Sequence, residues 1–152
     1  MKKAPEKIAL LMEEEDRSEP KAASDGWQDN IETATKGNED YRRVEFTSEY
    51  LQLVYMNLEP GDEIGEEVHD DGDQFIRVDS GNGKSVVNGK EKDFGDGDAV
   101  IIPAGTKHNI INTGDTPLKL YTVYGPPRHL KDTVQANKSD DAEDHFDGET
   151  DV

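Results

Sequence analysis

From residue 43 to 125 short apolar-rich strands alternate with turn chemistry at intervals near ten residues. Val44 and Phe46 read as one strand. The run from Leu51 to Leu58 is apolar on both faces and predicts a central strand. Breaks follow at Pro60-Gly61-Asp62, Asp71-Gly72-Asp73, Gly81-Asn82-Gly83, Gly95-Asp96-Gly97, Pro103-Ala104-Gly105 and Thr113-Gly114-Asp115. Asn88-Gly89, between Val86-Val87 and Lys90-Glu91, predicts a two-residue hairpin. Leu118, Leu120, Thr122 and Tyr124 supply a last strand, which Gly125-Pro126-Pro127 ends. Such spacing predicts an all-β sandwich or barrel. A βαβ domain would need a helical period of ten residues or more between strands; none occurs between Val44 and Tyr124.

The flanks have a different texture. Residues 1–26 read as a flexible extension with one short amphipathic piece at residues 8–12, either a fraying helix or a partner-docking one. Residues 27–130 form the expected domain. Its first part, 27–40, reads as a lead-in strand and turn, with Trp27 packing on the barrel or on a neighbouring subunit. Residues 131–152 read as a disordered acidic tail, with seven acidic residues and no Lys or Arg after Lys138. His129 and His145 fall where the pattern thins, and solvent exposure is expected for both.

Composition narrows the function classes. The 152 residues suffice for one domain with a modest core, and the net charge is −18. That field repels phosphate backbones and anionic surfaces, so neither nucleic acid nor membrane is an expected partner. The absence of cysteine excludes disulfides, thiolate metal sites and cysteine nucleophiles. The apolar piece at residues 8–12 is too short for a signal-peptide core, and a cytoplasmic location is the simplest expectation.

The candidate chemistry lies at strand ends. Glu67 and His69 sit two apart in an extended run, so their side chains share a face. An Asp-rich turn follows, and Gln74 opens the next strand. His108 opens another apolar run just after Pro103-Ala104-Gly105. Four side chains able to bind a metal can therefore meet in one cavity. The neighbouring Glu66 would replace Glu67 if the strand register slipped by one. Asp70, Asp71 and Asp73 lack the rest of a calcium-loop pattern and read as a solvated turn.

These stretches resemble the two sequence motifs of the cupin superfamily. GDAVIIPAGTKHNIIN at residues 97–112 matches the second motif at Gly97, Pro103, Gly105, His108 and Asn112. GDEIGEEVHDDGDQFIRVDSG at residues 61–81 is similar to the first in spacing, with Gly61 and Gly81 as framing glycines and His69 as its second histidine. It departs twice: Glu67 stands in place of the usual first histidine, and Gln74 in place of the usual glutamate. The likeness covers roughly residues 41–127 and includes small bacterial single-domain cupins, some labelled mannose-6-phosphate isomerase-like. It implies a double-stranded β-helix, or jelly-roll barrel, with a metal in its mouth.

The exchange conserves charge. The familiar cupin set is three neutral imidazoles and one carboxylate; here one carboxylate, two imidazoles and an amide give the same sum. A carboxylate buried without a counter-charge would cost several kcal/mol or take up a proton, and a divalent ion removes that cost. The set suits Mn, Fe, Ni or Zn, and composition does not choose among them. Gln74 either binds through its amide oxygen or hydrogen-bonds beside the site.

Two functions are consistent with this pattern. One is a metalloenzyme acting on a small oxygen-rich metabolite, of sugar isomerase/epimerase or dioxygenase type. The other is a non-catalytic cupin that binds a small molecule or uses its metal structurally. Arg77, Lys107 and Lys119 are the cations available to a phosphate group, and Tyr55, Tyr121 and Tyr124 the candidate hydroxyls. A homodimer is expected, since small cupins commonly pair through sheet edges and the N-terminal strand.

Overall fold

The computed structural model describes residues 24–143. The piece at residues 8–12, His145 and the end of the acidic tail lie outside them. The described strands are β1 (Arg42–Thr47), β2 (Gln52–Leu58), β3 (Asp73–Ser80), β4 (Asn82–Val87), β5 (Lys90–Gly95), β6 (Ala99–Ile102), β7 (His108–Ile111), β8 (Leu118–Gly125) and β9 (Val134–Gln135). They form a six-stranded sheet in the order β6-β3-β8-β2-β1-β9 and a three-stranded sheet in the order β5-β4-β7. Every pairing is antiparallel. The two sheets close on one core as a jelly-roll barrel. Among the described residues no helix is long and apolar enough to cross a membrane.

The alternation read from sequence sets the inner face. In β8, Leu118, Leu120, Thr122 and Tyr124 are buried and the residues between them half-exposed. In β3, Gln74, Ile76 and Val78 point inward on the same parity. All seven residues of β2 are buried, as expected of a strand flanked by β1 and β8 and covered on both faces. Burying each of these aliphatic side chains contributes about 1.5–3 kcal/mol. The Asn88-Gly89 turn joins β4 to β5 with φ of 53° and 81°, the left-handed pair a two-residue hairpin needs.

Three expectations at the flanks are corrected. Residues 27–40 do not form a lead-in strand; they contain helix α1 (Ile31–Gly37). Asn30 caps it by accepting from Thr33 N at 2.9 Å, and Glu32 pairs with Lys36 at 2.8 Å one turn on. With little more than Ile31 and the buried Thr35 on its inner face, the helix carries too weak an apolar period to be read. Second, residues 131–143 are not all tail: they contribute β9, which pairs with β1 through Arg42↔Gln135 and Arg43↔Val134. A 3-10 helix (Lys138–Glu143) follows. Third, His129 is 3% exposed rather than solvated.

Candidate metal centre

The run holding Glu67 and His69 is an extended loop rather than a strand. Gly61 and Gly65 adopt positive φ and interrupt it. It touches the smaller sheet at isolated bridges, one of them Glu67↔His108. There Glu67 N donates to His108 O at 2.8 Å and His108 N donates to Glu67 O at 2.9 Å. This pairing sets the register: Glu67 faces inward, while the Glu66 side chain is 64% exposed, 4.0 Å from Lys107.

The turn before β7 ties both motif halves together. Gly105, at φ 83°, donates its N–H to His69 O at 2.8 Å. Thr106 O accepts from His108 Nδ1 at 2.9 Å. A carbonyl can only accept, so His108 carries its proton on Nδ1 and leaves a lone pair on Nε2.

One potential donor atom from each of Glu67, His69 and His108 lies within 4.8 Å of the others. Glu67 Oε1 is 3.2 Å from His69 Nε2, without hydrogen-bond direction, and 3.9 Å from His108 Nε2. The imidazole rings stand 5.1 Å apart at 58°. Both nitrogens of His69 and Nε2 of His108 are buried with no hydrogen-bond partner among the described residues. Donors about 2.0–2.2 Å from one ion stand roughly 3–4 Å from each other, so these spacings fit a shared cation.

Electrostatics keep the set in binding form. Burial pushes the Glu67 carboxyl up, but the close approach of His69, aided by the charge of Arg42, outweighs it and holds the group below the usual carboxylate range. Burial drives His108 below the ordinary imidazole value, more than the Thr106 carbonyl restores, so its neutral form is favoured. The Glu67 side chain keeps 24% exposure, against 10% and 3% for His69 and His108. The cluster therefore opens to solvent on its carboxylate side.

Gln74 is 4% exposed; its Nε2 donates to Thr122 Oγ1 at 2.9 Å, leaving a buried Oε1 without a partner among the described residues. Two aspartates of the turn, Asp71 and Asp73, have structural partners. Asp73 Oδ1 accepts from Ala104 N at 2.8 Å, and Asp71 pairs with Arg128 at 3.0 Å.

Three neighbours escaped the sequence reading in whole or part. Tyr124 packs edge-on against His69, with centroids 6.0 Å apart, and against His129 at 5.3 Å. Its inward parity was legible; its place beside the imidazoles was not. His129 Nε2 lies 3.4 Å from the Tyr124 hydroxyl, and its backbone is held by buried Gln52. No periodicity marks it. Arg42, 1% exposed on β1, donates to Gln135 Oε1 at 2.9 Å. It shares parity with Val44, but its charge argues against an inward position. By contrast, the Arg77 side chain is 42% exposed and beside Asp79, and Lys119 donates to Asn38 O.

A family model described as a cupin domain matches residues 54–124. The uncharacterized protein YrkC of Bacillus subtilis (strain 168) is 45% identical over 118 residues, 73% of this chain and 63% of its own length. An uncharacterized protein of Acanthamoeba polyphaga mimivirus is 45% identical over 105 residues, 66% of this chain and 65% of its own length. The chain thus spans just under two-thirds of the length of the curated relatives it matches. The crystal structure of BH2720 from Bacillus halodurans superimposes with a TM-score of 0.73 at 40% identity, covering 74% of this chain and 90% of that one. With the motif glycines at their turns and the inner faces of two antiparallel sheets around one core, the chain belongs to the cupin superfamily, as a small member of it.

Proposed function

We propose that this cupin holds one divalent ion, Mn, Fe, Ni or Zn, through Glu67, His69 and His108, with Gln74 as a fourth, oxygen donor. We further propose that it acts on a small oxygen-rich metabolite in isomerase/epimerase-like or dioxygenase-like chemistry. The observation that carries this reading is the convergence of one carboxylate and two imidazoles, with both His69 nitrogens and His108 Nε2 buried and without a hydrogen-bond partner among the described residues. A buried set of that kind is costly without a cation. When bound, such an ion supplies Lewis acidity toward oxygen atoms of a substrate.

The chain's own residues prepare the site. The Thr106 carbonyl fixes the His108 tautomer, the usual outer partner of a ligating imidazole. Gly105 holds the His69 backbone. Thr122 turns the Gln74 amide so that its nitrogen is engaged and its oxygen is not. Ile76 and Ile110, at most 1% exposed, make the interior beneath dry. Burial pushes the Tyr124 hydroxyl up, so it keeps its proton and serves as a donor.

That last point favours a second reading, a cupin that binds without catalysis. With Tyr124 protonated and the His108 Nδ1 proton engaged, the clear proton acceptor among the described residues of the site is Glu67, itself a proposed ligand, which leaves isomerase chemistry without a separate base.

The test is to purify the untagged protein, measure Mn, Fe, Ni, Zn and Cu, and follow dioxygen uptake and sugar interconversion with each metal loaded. About one equivalent of metal is expected, falling at least tenfold in His69→Ala and His108→Ala with the β fold retained. Parent protein holding under about a tenth of an equivalent after incubation with every metal overturns the site. Metal-dependent turnover distinguishes the enzyme from the binding module.

A further inference from the structure

The outer face of the larger sheet carries an apolar groove of about 300 Å³ that the metal-site reading does not use. Its floor is a cross-strand row: Phe46 on β1 pairs with Leu53 on β2, and Leu53 pairs with Val123 on β8. Trp27 and Ile31 form one wall, and Leu51, 55% exposed, stands at the edge. Trp27 is tethered by its Nε1 donating to Glu45 Oε2 at 3.1 Å.

We propose that residues 7–13 of this same chain dock in that groove as one amphipathic turn, burying Ile8, Leu11 and Met12. Three observations select this occupant. The first is where the chain enters. Ser24, the first described residue, lines an adjoining hollow with Phe46 and Ser48, which the groove shares, so Ser24 stands at the groove's rim. The twelve residues from Met12 to Ser24 reach roughly 40 Å when extended, ample for the return.

The second is pattern. Ile8, Leu11 and Met12 are spaced i, i+3, i+4 and share one face of a helical turn, while Leu10 lies on the opposite face. The third is charge. Lys2, Lys3 and Lys7 against Glu6 make the first twelve residues net positive, and the acidic run Glu13-Glu14-Glu15-Asp16 begins directly after Met12, so the positive charge lies at the N-terminal side of the apolar face. Beside the groove, the exposed Glu45 holds the Trp27 indole, and Glu49 lines the adjoining hollow together with Lys131. A cationic start beside an acidic rim orients the segment, and the apolar face holds it.

Trp27 is the only tryptophan in the chain and lines the groove, so it reports occupancy directly. In the full-length protein, Ile8→Asp with Leu11→Asp is expected to red-shift Trp27 emission and roughly double its quenching by acrylamide, because an uncovered indole meets water. Leu10→Asp, on the other face, is expected to leave both unchanged. Far-UV dichroism, expected to keep its strand signal in both variants, separates undocking from unfolding. Unchanged emission in the double variant overturns the proposal, as does an equal response to Leu10→Asp. A parent emission that shifts on dilution also overturns it, since the groove would then be covered by a second copy.

Discussion

Replacing Gln52 by Leu tests how the segment after β8 is held beside the candidate metal site. Gln52 is fully buried on β2, and its amide makes four hydrogen bonds. Nε2 donates to Thr47 Oγ1 at 2.9 Å and to His129 O at 2.8 Å. Oε1 accepts from Arg128 N at 2.9 Å and from His129 N at 2.8 Å. Leu fills similar space but makes none of these bonds, leaving the His129 N–H and C=O without this partner in a dry environment. At about 1 kcal/mol net per bond, less a small gain from the added apolar surface, the loss is about 3–4 kcal/mol. For a domain of this size that lowers the unfolding midpoint by roughly 10–15 °C. Gln52→Glu keeps both acceptor contacts but sets a carboxylate oxygen against the His129 carbonyl in a dry site, so it is expected to cost at least as much as Leu. Urea unfolding gives the energy, and amide exchange at His129 shows whether the segment opens locally. A loss under about 1 kcal/mol, or a His129 amide as protected as in the parent, refutes the reasoning.

Glu67→Gln removes the charge of the proposed donor set and is expected to weaken divalent-metal binding by at least about tenfold in calorimetric titration; Glu66→Gln, on the exposed neighbour, should leave it unchanged. Asp79 is 2% exposed beneath α1, and burial raises its carboxyl above the ordinary value despite Arg77 and a hydrogen bond with Thr35. The folded chain therefore binds more protons than the unfolded one between the two values, so this group's contribution is present at low pH and lost as pH rises through the folded value. Asp79→Asn should raise the melting midpoint at pH 7, with the advantage vanishing below about pH 4; the same advantage at both pH values would contradict the sign. We also expect a homodimer, and a monomer mass by sedimentation at micromolar concentration would refute it.

The parts legible in the sequence are those with a period or a turn signature. The buried parity of β3 and β8, the central position of β2 and the Asn88-Gly89 hairpin all follow from alternation and left-handed turn residues. The same alternation put Glu67 and His69 on one face, and motif spacing brought His108 toward them; the three converge as that spacing implied. What escaped lacks a period. Helix α1 is held by a cap and one ion pair, and β9 is two residues long and polar enough to pass for tail. His129 is buried by Gln52 and Tyr124, partners 77 and 5 residues away that no local pattern joins. Arg42 is covered by Gln135, 93 residues on.

The proposed function rests on one divalent ion held among Glu67, His69 and His108. It is tested most directly by anomalous diffraction at the absorption edge of the co-purifying or added metal. The account predicts a single strong peak about 2.0–2.2 Å from a Glu67 oxygen and from one nitrogen each of His69 and His108. A fully loaded crystal with its peak elsewhere, or with Glu67 turned away from the two imidazoles, would contradict it.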